Sequence, residues 1–166
     1  MRPTARLATA AVVVLAIGCG RSRDLSPPTF NPGSVECVAC GMLVSDERFA
    51  SALVFETPDG VQKPIFDDIN CTLRHQRELP AGAGPATLYV RDFDSRAWLD
   101  AREAFFVHSE RLETPMASHV AALGSREAAE RLRERYPGSV VRLADLPALV
   151  LPPAPSSPNE KEDSTP

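Results

Sequence analysis

Prolines crowd both flanks of this chain and confine any packed core to residues 36–150. Ahead of that stretch, residues 19–35 include Gly20-Arg21-Ser22-Arg23-Asp24-Leu25-Ser26-Pro27-Pro28, a composition that reads as a tether. Beyond it, residues 151–166 hold Pro152-Pro153-Ala154-Pro155-Ser156-Ser157-Pro158 and then acidic and polar residues. That segment has too little apolar surface to offset its ordering entropy, so a disordered tail is expected. What remains suits one compact domain or two very small ones.

Residues 1–18 read as a bacterial export signal. Arg2 and Arg6 form a positive start, an apolar run from Leu7 to Ile17 follows, and small residues precede Cys19. The run is too short to span a bilayer, which takes about 20 apolar residues. Leu15-Ala16-Ile17-Gly18-Cys19 resembles the lipobox of bacterial lipoproteins, with Ala16 where Leu is more usual. The resemblance implies that Cys19 is acylated and becomes the mature N-terminus, which anchors the protein to the membrane without spanning it. The alternative is an ordinary secretory signal with a chance cysteine. The expected location is the cell envelope of a bacterium, facing the periplasm. Loss of Arg2 and Arg6 takes the net charge from −4 to −6. No Lys/Arg cluster of the kind phosphate backbones need is evident, so nucleic acid is excluded as a partner. The arginines between Arg126 and Arg142 alternate with Glu127, Glu130 and Glu134, as on a solvated helix face.

Within 36–150 an α+β order of elements occurs twice. Phe49–Phe55 reads as a strand, Pro58-Asp59-Gly60 as a turn, and Val61–Phe66 as a second strand. Asp67 or Asp68 is placed to cap a helix running to about Glu78, with Ile69, Cys71 and Leu73 on one broad face. Thr87–Arg91 reads as a third strand. The second half follows with a strand at Ala104–His108, an extended stretch at Pro115–Leu123, a helix from Arg126 to Tyr136 capped by Ser125, and a strand at Ser139–Leu143. The expected units are about 36–93 and 94–150.

Cys37-Val38-Ala39-Cys40-Gly41-Met42 puts three soft sulfur donors within one short segment. Thiolates and thioethers favour soft metals, Cu(I) above all, whereas Mg²⁺ and Ca²⁺ favour oxygen. With Cys19 acylated, Cys37, Cys40 and Cys71 remain, an odd set for a disulfide framework in an oxidising compartment. Gly41 allows a tight turn between donors, and Met42 offers an exchangeable thioether. Other readings stay open. Cys37, Cys40, Cys71 and His75 form a zinc-type set, the last two at i and i+4 on a helix. A Cys-x-x-Cys pair also suits a dithiol catalyst or a plain disulfide. Cys71 alone reads as a small buried residue, His108 and His119 as structural, and Trp98 with Phe105-Phe106 as core. No Ser/His/Asp set or phosphate-binding Gly loop is evident, and no enzymatic activity is expected.

Four stretches together resemble the NosL family, the nitrous-oxide-reductase accessory lipoproteins. They are Glu36–Met42, Phe66-Asp67-Asp68-Ile69-Asn70-Cys71, Leu88–Phe93 with Trp98, and Thr114-Pro115-Met116-Ala117-Ser118, in family order across residues 36–145. Asn70 stands where Gly is expected, Ala117 where Gly is common, and His119 where an apolar residue is usual. The resemblance implies two tandem ββαβ units, a shape shared with part of organomercurial lyase. It also implies a lipid-anchored, monomeric Cu(I) chaperone that serves nitrous oxide reductase or another periplasmic copper protein. The implied ligands are Cys37, Cys40, Met42 and Met116, with Cys71 and His119 as further candidates.

Overall fold

The computed structural model describes residues 23–152. The export signal, Cys19 and residues 153–166 lie outside the described residues. Strand β1 (Ser51–Thr57) is the centre of the first sheet, with order β2-β1-β4-β5 and every pairing antiparallel. Its partner on one edge is split into β2 (Gly60–Gln62) and β3 (Ile65–Phe66), where the sequence predicts one strand. Pro64 lies in the gap: it has no N–H to give to a ladder, and only its carbonyl bonds β1, from Leu53 N at 3.2 Å. Helix α1 (Ile69–Gln76) follows, then β4 (Thr87–Arg91) and a strand not foreseen from sequence, β5 (Trp98–Asp100).

The second sheet has order β7-β6-β8, from β6 (Phe105–His108), β7 (Val120–Leu123) and β8 (Ser139–Val141). Helix α2 (Arg126–Arg135) connects β7 to β8, and Ser125 Oγ caps it by accepting from Ala128 N at 3.1 Å. Pro137 and Gly138 end it. A β-carbon on Gly138 would fall on the His108 carbonyl, so the close return of β8 to β6 requires glycine. The expected extended stretch at Pro115–Leu123 is strand only from Val120, and Pro115–His119 forms a turn. A short helix α3 (Leu146–Val150), preceded by a tight turn at Leu143–Asp145, closes the described chain.

Neighbouring residues of β6 point to opposite faces, as strand geometry requires. Phe106, with Val120 and Ala122 of β7, joins a core beneath the first sheet that includes Leu53, Phe55, Phe66, Ile69, Leu73 and Leu146. Val107, with Ala121 and Leu123, faces Ala129 and Leu132 of α2. Each fully buried Leu or Phe contributes about 1.5–3 kcal/mol, so the second sheet is stabilised from both sides. Asp92 joins the halves: Oδ2 accepts from Gly124 N at 2.7 Å and Oδ1 from Ser95 N at 2.7 Å. Burial raises its carboxyl, but these backbone N–H groups outweigh that and hold it below the usual range.

Residues 23–35, expected as a tether, lie against the first sheet. Trp98 Nε1 donates to Pro28 O at 2.9 Å, the Arg91 guanidinium sits 4.2 Å from the Trp98 ring centroid, and Phe30 and Val35 pack on the core. At the other end Leu151 is buried in that core.

Candidate metal centre

The Cys37–Met42 segment is a closed loop. Cys37 N donates to Met42 O at 2.7 Å, Gly41 N to Cys37 O at 2.8 Å, and Glu36 pairs with Leu43. Gly41 closes it at φ 75°, a conformation glycine adopts freely. Val38 N donates to Ile65 O at 3.1 Å, which lays the loop beside β3. The chain then passes through β3 into α1, so the loop meets the first turn of that helix.

There Asp67, just ahead of the N-cap residue Asp68, and Cys71 of the helix come together. The Sγ atoms of Cys37, Cys40 and Cys71 and a carboxylate oxygen of Asp67 all lie within 4.8 Å of one another. All three cysteines are free thiols; Cys37, Cys71 and Asp67 are buried and Cys40 is half-buried. Cys40 Sγ donates to Asp67 Oδ2 at 3.4 Å, and Asp67 Oδ1 has no hydrogen-bond partner. Val38, Met42 and Leu43 are exposed around the half-buried thiol. Met116 is partly buried and packs on the core that holds Cys37 and Cys71.

Asp67 is the candidate donor that sequence reasoning missed. The acid pair Asp67-Asp68 reads as an N-cap, but Asp68, at the cap position, makes no capping hydrogen bond. Asp67 precedes the extended N-cap residue, so no helical spacing marks it, whereas the i, i+4 spacing of Cys71 and His75 within the helix suggests zinc. His75 is turned instead onto the Phe66 ring, centroids 5.2 Å apart. His119 donates from Nδ1 to the Leu112 carbonyl at 2.8 Å, and its Nε2 faces Glu110 at 3.7 Å.

Three thiols around a carboxylate cannot all ionise without a cation, because like charges raise one another's pKa. The Cys71 thiol donates to Cys37 and pulls it down to about 6, against the opposing effect of burial. Cys71 is pushed up by that same hydrogen bond and then by burial, and Cys40 is pushed up mainly by burial. In metal-free, reduced protein, ultraviolet thiolate absorbance should therefore show one thiolate appearing near pH 6 and the others only above the ordinary cysteine range. Cys71→Ala should move the first step upward. Three thiols titrating together at the ordinary value would contradict this arrangement.

The loop bearing Met116 is strained. Ala117 has φ 53° and His119 φ 58°. A left-handed conformation costs an L-residue roughly 1–2 kcal/mol, partly offset in Gly by its larger unfolded-state entropy. Ala117→Gly should thus stabilise the fold by about 0.5–1 kcal/mol, read as a rise in thermal midpoint. A lowered midpoint would show that the loop is not strained there.

The sequence profile of the NosL family matches residues 29–151. No curated protein sequence matches the chain. The crystal structure of the copper chaperone NosL from Shewanella denitrificans is similar in fold, with a TM-score of 0.57 at 19% identity, covering 73% of this chain and 95% of that one. The chain belongs to the NosL family.

Proposed function

We propose that this protein binds Cu(I) as cargo at Cys37, Cys40 and Cys71, with Asp67 beside them, and passes it to a periplasmic copper protein. The observation that carries this reading is the convergence of three thiols and a carboxylate within 4.8 Å, with Cys40 half-buried at the edge. Soft thiolates suit Cu(I). A half-exposed donor flanked by the exposed Met42 allows a recipient to displace ligands one at a time. The copper-chaperone description of the Shewanella protein supports the same assignment. Nitrous oxide reductase is the proposed recipient, in the assembly of its copper centre for denitrification. Acylation of Cys19 would hold the carrier at the membrane facing the periplasm, as a monomer, in a carrier's and not a catalyst's role. We read β1 to β4 and β6 to β8 as the two ββαβ units that the family resemblance implies.

An anaerobic Cu(I) titration of fully reduced residues 20–166 against a chromophoric chelator, with Zn²⁺ in parallel, tests this. Tight stoichiometric Cu(I) supports the carrier. Tight Zn²⁺ with weak Cu(I) overturns it in favour of a zinc-stabilised interaction module. The observation that favours that second reading is the fourth donor, a carboxylate oxygen, which brings the set to S₃O, the number of ligands a structural zinc takes. Chelation should unfold a module held together by zinc, whereas an emptied carrier should stay folded.

A further inference from the structure

The start of α1 serves two neighbours. Asp67 and Cys71 reach the sulfur cluster, whereas Asp68 and Asn70, between them, reach a loop from the other half of the chain. Asp68 is fully buried, and its Oδ2 accepts from Thr114 Oγ1 at 2.8 Å, Met116 N at 3.0 Å and Ser118 N at 3.4 Å. Asn70 Nδ2 donates to Met116 O at 2.7 Å. Both backbone polar groups of one methionine therefore end on the helix turn that supplies two donors to the cluster. The same loop holds two non-glycine residues at positive φ, Ala117 and His119. Such strain persists only where the surroundings over-determine it, and it collects at functional sites. A buried carboxylate is costly unless it accepts hydrogen bonds, and here every donor to its bonded oxygen, Oδ2, comes from the methionine loop, while Oδ1 has no partner. Closing the turn would need only the bonds inside the loop, from Ala117 N to Thr114 O and from His119 N to Thr114 Oγ1. The bonds to Met116 fix its place relative to α1.

We propose that Asp68 and Asn70 are positioning residues that hold the Met116 thioether at the Cys37–Cys40–Cys71 cluster, so that a soft metal ion there is completed from the second half of the chain. This rests on the reading that the cluster binds Cu(I). Asp68 and Asn70 act through Met116 and give no ligand of their own.

The test is X-ray absorption of the reduced, Cu(I)-loaded chain, which counts sulfur neighbours, together with chelator competition. Met116→Leu and Asp68→Ala should each lose one sulfur neighbour and bind about 10- to 100-fold more weakly. The two combined should be no weaker than Asp68→Ala alone, and Asp68→Asn, which restores an acceptor, should recover most of the loss. A full sulfur count with parental affinity in Asp68→Ala, or losses that multiply in the combination, would overturn the proposal. If Asp68→Ala fails to fold by circular dichroism, Asn70→Ala decides in its place, because it removes only the bond to Met116 O. Cys37→Ala/Cys40→Ala separates the two levels. Binding lost there but untouched in Met116→Leu overturns the positioning role and leaves the sulfur site standing. Binding kept there overturns both.

Discussion

Protein carrying Cys37→Ala and Cys40→Ala is expected to lose stoichiometric Cu(I) binding and to keep its fold. The fold survives because the loop is closed by backbone bonds, Cys37 N to Met42 O and Gly41 N to Cys37 O, which do not involve the thiols. Removing the buried Cys37 sulfur leaves a small void and costs about 1 kcal/mol, a fraction of ordinary domain stability. The metal loses far more. Zinc-finger-type sites gain about 10–16 kcal/mol from four ligands, so each ligand is worth roughly 3 kcal/mol or more. Two lost ligands therefore correspond to at least about a thousandfold in affinity. Cys37 matters most near neutrality, because its thiol, pulled down to about 6, supplies the thiolate already formed. Cys40 and Cys71 are pushed up, so they must surrender protons to the ion, and binding should release protons. Affinity should therefore fall with pH across the neutral range, and more steeply below about 6, where Cys37 becomes protonated too. Competition titration and proton-release measurements on parent and variant check both parts. Parental affinity in the double variant would exclude the sulfur site.

The loop of that site was legible because its donors are neighbours in the chain. Cys37, Cys40 and the Gly41 turn stand within one short motif, and local spacing determines their geometry. Strand β4 and the Ser125-capped α2 were equally plain, since alternation and a capping serine are local signals. The fourth donor was hidden by an ambiguity of the same local kind: an acid just before a helix has a simpler reading as a cap. Only the tertiary approach of the Cys37–Met42 loop to α1 separates Asp67, a donor to the cluster, from Asp68, an acceptor for the Thr114–Ser118 loop. Strand β5 escaped for a different reason. It is short and half-buried throughout, and it is held by its pairing to β4 and by the Phe30 ring and the Pro28 carbonyl against Trp98. Composition alone makes residues 19–35 a tether, of which residues 23–35 are described and lie on the first sheet. Their docking comes from single aromatic and ion-pair contacts, among them Lys63 Nζ to Asp24 Oδ2 at 2.8 Å, which leave no periodic pattern.

Phe66→Ala is expected to destabilise the metal-free protein by about 3–5 kcal/mol, the usual cost of truncating a buried aromatic ring. Phe66 is fully buried and pairs with Ser51 of β1, and its ring lies against His75 of α1. It is also the residue immediately before Asp67, so it fixes where the first turn of α1 begins. The neighbouring bond between Ser51 Oγ and Thr72 Oγ1, at 2.5 Å, ties the same strand to the same helix but cannot fill the void left by the ring. Against a typical stability of 5–15 kcal/mol, such a loss is a large share of the total and should lower the thermal midpoint of the metal-free chain by many degrees. Metal should reverse much of it. A ligand that binds only the folded state stabilises it by about 4.1 kcal/mol at a free concentration a thousand times its Kd. The thermal midpoint of Phe66→Ala should therefore rise steeply with free Cu(I) under reducing, anaerobic conditions. The rise should vanish when Cys37→Ala and Cys40→Ala are added, because the ion then has no site through which to pull the folding equilibrium. A midpoint in Phe66→Ala that ignores Cu(I) while the parent still binds it would overturn this expectation, because it would show that truncating the ring destroys the metal centre itself and does not merely lower the stability of the fold.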